Sequence, residues 1–244
     1  MPDPGPPSEE FPGTSAIPET HRVIEELEDQ REQFEAVGEP PGWLRPLLAY
    51  QRRVDALNER IGTLTTYLVL LVVGIGFFNA LLRYAGRFAG RQLTSNRYIE
   101  LQWYLYATLF LLAFGYILKN GINVRVDFWY ANRSERTKAW IDFIGHLIAL
   151  IPFCLLALLV VWRPILTSWG ALPDGSFSTW QVWRIWERSP DPGGLPRAPI
   201  KTMLLIGFFL LLLQALAEMV KLVAELTGHG RFTKRGPKAP LRVE

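Results

Sequence analysis

The side chains with the most chemical potential in this sequence are few and scattered. Three histidines, His21, His146 and His229, and one cysteine, Cys154, are the soft or borderline ligands on offer. Holding a haem between membrane helices commonly takes two histidines, and only His146 falls inside an apolar run. A lone histidine there is more often hydrogen-bonded packing than a ligand. One cysteine forms neither an internal disulfide nor a Cys-based metal site, so Cys154 is expected to pack. A carrier acting alone needs ionisable groups at mid-membrane depth or broken helices around a site. Here Glu100 and Glu218 sit at the ends of apolar runs, and Gly74 and Gly76 interrupt theirs only mildly. These residues predict no catalytic centre, no bound cofactor and no metal site.

What remains is chemistry of contact. Arg83, Arg87 and Arg91 recur every four residues, which on a helix makes a cationic stripe able to meet lipid phosphate, an acidic partner or an anionic solute. Lipid headgroups are the favoured ligand. Trp180, Trp183 and Trp186 recur every three residues behind a capping-box pair, Ser178 and Gln181, and predict an aromatic helix lying in the membrane interface and open to a partner. Arg125 and Asp127, at i and i+2 of an extended segment, point the same way. Asp127 is expected to cap a helix starting near Phe128, and Arg125 to contact a partner or lipid.

The elements that must carry these groups follow from charge. Of 244 residues, 49% are hydrophobic and 20% charged, ordinary values for a soluble domain, but the distribution is lopsided. Residues 1–39 hold eleven acids against two arginines, so the rest of the chain is strongly basic. A pI near 9.1 does not indicate a nucleic-acid partner, because the basic residues flank long apolar runs instead of studding a soluble surface. Four stretches lack any Asp, Glu, Lys or Arg: 61–82, 101–118, 143–162 and 202–217. As helices they would extend about 33, 27, 30 and 24 Å, against a hydrocarbon core of about 30 Å. The fourth is continued by Met219, Val220, Leu222 and Val223, with Glu218, Lys221 and Glu225 at ion-pairing spacings on an amphipathic extension.

The reading is an all-α integral membrane protein with four transmembrane helices, near 61–82, 99–118, 143–162 and 202–226, inside a membrane domain over 43–227. Residues 1–18, rich in proline and acid, lack a signal-peptide core and are expected to be disordered. An acidic helix and linker over 19–42 follows, then an amphipathic interfacial helix over Trp43–Arg60. Residues 163–201 form a long aromatic loop, and 228–244 a basic tail. Fifteen Lys and Arg residues flank the side holding both termini and nine flank the other, which places both termini in the cytoplasm and 163–201 in the periplasm.

Specific residues then carry a resemblance. Leu82-Arg83-Tyr84 closes the first apolar run and Glu100-Leu101-Gln102-Trp103 opens the second. Val124-Arg125-Val126-Asp127, Ala139-Trp140-Ile141-Asp142 with Gly145 and Pro152, and Gly193-Gly194-Leu195-Pro196-Arg197 follow in order. Together, over roughly residues 45–227, they resemble the small permease subunit of tripartite ATP-independent periplasmic (TRAP) transporters, the DctQ-like family, and within it the mannitol/chloroaromatic-type branch. Asn123 stands where that family often has histidine. The resemblance implies a non-catalytic subunit of the bacterial inner membrane. It would brace a large permease subunit that carries solute, often an organic acid, by a sodium-coupled mechanism, and help seat a periplasmic solute-binding protein. The partner-interface candidates are Arg125, Asp127, Glu100, Arg83, Trp180, Trp183 and Arg197. A different class, a membrane anchor or assembly subunit of a redox complex with His146 paired to a partner's histidine, is the alternative.

Overall fold

The computed structural model describes residues 39–122, 130 and 133–233. Arg125 and Asp127 lie outside the described residues, as do the Pro-rich start, the acidic segment through residue 38 and most of the basic tail. Residues up to Pro41 form one unit and Gly42 onward another, and the second is the helical body described below.

Among the described residues, four helices are long and apolar enough to cross a membrane. The first, α1 (Leu44–Ala89), is one helix of 46 residues. The segment expected to lie as a separate interfacial helix is therefore its first turns: Pro46 falls where the missing N–H costs nothing, and nothing between Arg53 and Thr66 breaks the backbone. At 1.5 Å per residue α1 is about 69 Å long, more than twice the hydrocarbon thickness, so much of it projects from the bilayer. Ser95, whose hydroxyl accepts from the N–H of Arg97, starts α2 (Asn96–Asn120), which ends at left-handed Gly121.

The third crossing is composite. Ser134 caps α3 (Glu135–Gly145), a π-helical turn occupies His146–Leu150, and α4 (Ile151–Ser168) completes it. Proline explains the π turn. Pro152 has no N–H to donate and its ring crowds the carbonyl four residues back, and the wider turn, in which the N–H of Ile151 reaches the carbonyl of His146, relieves both. A single helical turn, α5 (Val182–Ile185), interrupts the long loop before α6 (Ala198–Leu226), which carries Pro199 in its first turn.

The last helix is the most enclosed of the four, packing against α1, α2 and the α3–α4 pair, while α1 also packs along α2. Backbones approach through small residues, as is usual where lipid gives helices no hydrophobic drive to associate. A Cβ on Gly62 would lie 2.3 Å from the Tyr116 ring, and one on Gly207 would lie 2.9 Å from Leu111. Large apolar side chains such as Leu70, Val73, Phe77 and Leu159 face outward, which suits hydrocarbon and not water.

Candidate functional site

Polar chemistry gathers at the two ends of this bundle. At the end carrying the 163–201 loop, the focus is Glu100. The Ser95 cap sets the phase of α2 so that Glu100, in its second turn, faces inward, and it is only 3% exposed. Its carboxylate accepts from the Ser189 hydroxyl and from the backbone N–H of Leu195, with Arg197 beside it. Gly193 and Gly194 are explained by this cradle. Gly193 adopts φ +72°, and its carbonyl accepts from Arg97 Nε at 2.9 Å. Gly194 needs no unusual backbone, but a Cβ there would lie 2.8 Å from both Glu100 oxygens and 2.4 Å from Ser189 Cβ.

A second carboxylate pins the other half of the loop. Glu187 accepts from Lys201 Nζ and from the Ser168 hydroxyl, joining the end of α4 to the start of α6. Lys201 first and Ser168 second hold its carboxyl below the usual carboxylate range. The backbone follows the same path: Glu187 N–H donates to Ser168 O at 2.8 Å, Arg197 N–H to Glu187 O at 2.9 Å and Ser189 N–H to Leu195 O at 3.1 Å. Trp169 Nε1 adds a bond to Thr202 Oγ1 at 2.8 Å.

The expected aromatic helix is the casualty of this pinning. Only Val182–Ile185 is helical, because Trp186 is already extended where Glu187 enters its bonds to the helix ends. Thr179, not Ser178, receives the local bond, from the N–H of Gln181 at 3.2 Å. Trp186 turns in against Trp169, with ring centroids 5.9 Å apart, whereas Trp180 and Trp183 meet edge to face at 5.3 Å and remain exposed, Trp180 at 76%. Among the partner-interface candidates, then, Glu100 and Arg197 come together in a buried cradle, Trp180 and Trp183 stand on the surface of the same loop, and Arg83 lies in a separate recess at the end of α1. Buried Arg197 Nε and the Tyr104 hydroxyl have no hydrogen-bond partner among the described residues.

At the opposite end lies a cluster of which the sequence disclosed only the Glu218–Lys221 pairing. Asp55 on α1 and Glu218 and Lys221 on α6 form a buried ionic set, with Lys221 Nζ 3.0 Å from Asp55 Oδ2 and 2.7 Å from Glu218 Oε1. Gln214 Nε2 donates to Asp55 Oδ1 and Glu218 Oε1, both at 2.9 Å, Asn58 Nδ2 donates to Gln214 Oε1 at 2.7 Å, and Gln51 Nε2 to Asp55 Oδ2 at 2.6 Å. Lys221 is 1% exposed, so the end of α6 is no solvated extension. With the partner helix known, the seam can be traced in the sequence. Leu44, Leu48, Gln51, Asp55, Asn58, Gly62 and Thr65 repeat by alternate fours and threes, a helix-packing seam that polar residues share.

His146 Nδ1 donates to the Asp142 carbonyl, 2.6 Å away in the same crossing, and its Nε2 is buried without a partner among the described residues. No group of three or more potential metal ligands occurs among the described residues.

Residues 72–225 match the family described as Tripartite ATP-independent periplasmic transporters, DctQ component. The chain belongs to the DctQ family. The match takes in Glu100, the 163–201 loop and the α6 half of the ionic cluster, so both candidate sites of this DctQ protein draw on family sequence. It begins at Val72, leaving the Asp55 side of the cluster outside. No curated protein and no solved structure matches the chain. As a multi-pass DctQ protein it is a transport component associated with the permease machinery of a TRAP system.

Proposed function

We propose that this DctQ protein is the small membrane subunit of a TRAP transporter of the mannitol/chloroaromatic-type branch. It braces a large permease subunit during sodium-coupled, binding-protein-dependent uptake of a small organic acid. The observation that carries this reading is where its inward-facing charged groups lie. Asp55, Glu218 and Lys221 sit at one end and Glu100 at the other, each tied into helix or loop packing, and no Asp, Glu, Lys or Arg lies in the apolar runs between. Such a chain stabilises its own frame and offers no ion path of its own. Arg125 and Asp127 are proposed as contacts to the large subunit, and Trp180 and Trp183 as contacts to the binding protein. Reconstituted alone, the chain should give no sodium-dependent uptake, while the large subunit and binding protein should regain full uptake only when it is added. Uptake by the chain alone would sink the proposal.

The same reading places both termini in the cytoplasm of a bacterium and the 163–201 loop in the periplasm, supported by the basic-residue bias. Ser178→Cys and Arg231→Cys, both at exposed positions, test it in a Cys154→Ala background. An impermeant thiol reagent on intact cells should label Cys introduced at 178 and spare that at 231. The reverse pattern would invert the topology.

A further inference from the structure

The end of α1 holds a site that the transporter role does not use. Gly90 closes α1 at φ 61°, ψ 22°, and the next N–H, that of Arg91, also bonds the carbonyl of Gly86, at 3.1 Å. The chain therefore folds back over the last helical turn. Gly86 is buried beneath it, where a Cβ would lie 2.5 Å from the Arg91 carbonyl oxygen. This corrects the helical stripe expected from sequence, since Arg91 is past the helix end, yet the fold-back keeps all three arginines together. Arg83, Arg87 and Arg91, with Gln92 and Thr94, line a recess of about 520 Å³.

No acidic residue lines that recess, and none of its three arginines has an ion-pair partner among the described residues. One arginine near a helix C-terminus is accounted for by the helix dipole. Three guanidinium groups around one recess repel each other and call for a multivalent oxyanion acceptor, which a phosphate group supplies. The apolar surroundings decide what carries that phosphate. Tyr84 lines the recess, and Phe77, Leu81, Tyr84 and Phe88, spaced by fours and threes, form an exposed stripe leading from it toward the bilayer, with Phe88 91% exposed. A free anion makes no use of such a stripe. A phospholipid uses both parts, its headgroup in the recess and its acyl chains along the aromatic face.

We propose that this recess is a binding site for an anionic phospholipid, held through its phosphate by Arg83, Arg87 and Arg91. The recess is lined by this chain's own residues, so the test starts from the chain alone. The purified protein is equilibrated in vesicles of equal parts phosphatidylcholine and phosphatidylglycerol, and the lipid retained after detergent extraction is counted by native mass spectrometry. Wild type should retain phosphatidylglycerol over phosphatidylcholine by about tenfold or more, given the attraction each basic residue adds at a membrane surface. Arg83→Gln/Arg87→Gln/Arg91→Gln should abolish that preference. Arg184→Gln/Arg188→Gln/Arg231→Gln, which removes equal charge at exposed positions elsewhere, should keep it. The proposal is overturned if the first variant retains lipid as wild type does. It is equally overturned if millimolar inorganic phosphate strips the lipid, which would mark a free-anion site, or if adding the large subunit displaces it, which would give the recess to protein.

Discussion

Lys221→Met is expected to destabilise the helical body by about 3–5 kcal/mol, the usual result of removing one partner from a buried ion pair. Methionine matches the aliphatic stem of lysine, so packing is nearly preserved, and the loss isolates the charge. Without the ammonium, Asp55 and Glu218 are left as two largely buried carboxylates that face only neutral donors, the Gln214 amide shared by both and the Gln51 amide on Asp55. Adding Asp55→Asn and Glu218→Gln to Lys221→Met should recover most of the loss, because apolar or neutral replacements of a whole buried ionic set are often close to neutral. Denaturant unfolding in mild detergent, followed by intrinsic tryptophan fluorescence, reads both. If Lys221→Met alone leaves the midpoint unchanged, the cluster is not what joins α1 to α6 at this end. The neighbouring bond from the Tyr50 hydroxyl to the Leu213 carbonyl, 3.0 Å, and the packing of Leu44 and Leu48 on Ala224 would then have to suffice.

That cluster also marks the limit of what the sequence discloses. The four crossings are legible because a charge-free run of about twenty residues has one physical outcome in a bilayer, and the described residues hold four such helices. Asp55 was not legible, since its neighbours Arg52, Arg53 and Arg60 make the segment look like a membrane-surface face, and only its partner on α6 reveals that the polar side is turned inward. Amphipathicity says which residues share a face, not which face is buried, when a polar seam has partners of its own. The 163–201 loop failed differently. Tryptophans three apart do favour a helix, but the loop's own Glu187, bonded to Ser168 and Lys201 at the helix ends, and Glu100, remote in sequence, hold the loop extended, and these tertiary bonds override local periodicity. By contrast, Glu100 and Gly193 through Arg197 are among the residues that carry the family resemblance, and the structure brings them into one cradle: the loop closes on that carboxylate, with glycine at 194 where a Cβ would crowd Ser189 and the Glu100 oxygens.

Glu100→Ala should therefore release the loop. The Ser189 hydroxyl and the Leu195 N–H would lose their shared acceptor, at about 1–3 kcal/mol for a buried donor left unmade, and Arg197 would lose its neighbouring anion. A net cost of about 2 kcal/mol raises the open fraction of the loop roughly thirtyfold, which proteolysis reports directly when opening and closing are fast relative to cleavage. Trypsin cutting after Arg184 and Arg188 should accelerate by that order in Glu100→Ala, and less in Glu100→Gln, which keeps one carbonyl oxygen as acceptor. Gly194→Ala provides an independent route to the same state: the carboxylate stays, but the added methyl cannot occupy a position 2.8 Å from its oxygens, so cleavage should rise with no charge altered. Transport separates the roles of the loop and of the bundle. If the folded loop is the surface presented to the binding protein, both variants should lose uptake in the reconstituted complex while still co-purifying with the large subunit, because neither removes an apolar side chain from the helix packing around α6. Loss of co-purification in both variants would assign the loop to the permease interface instead, and wild-type protease resistance in Glu100→Ala would remove the cradle as the element that orders it.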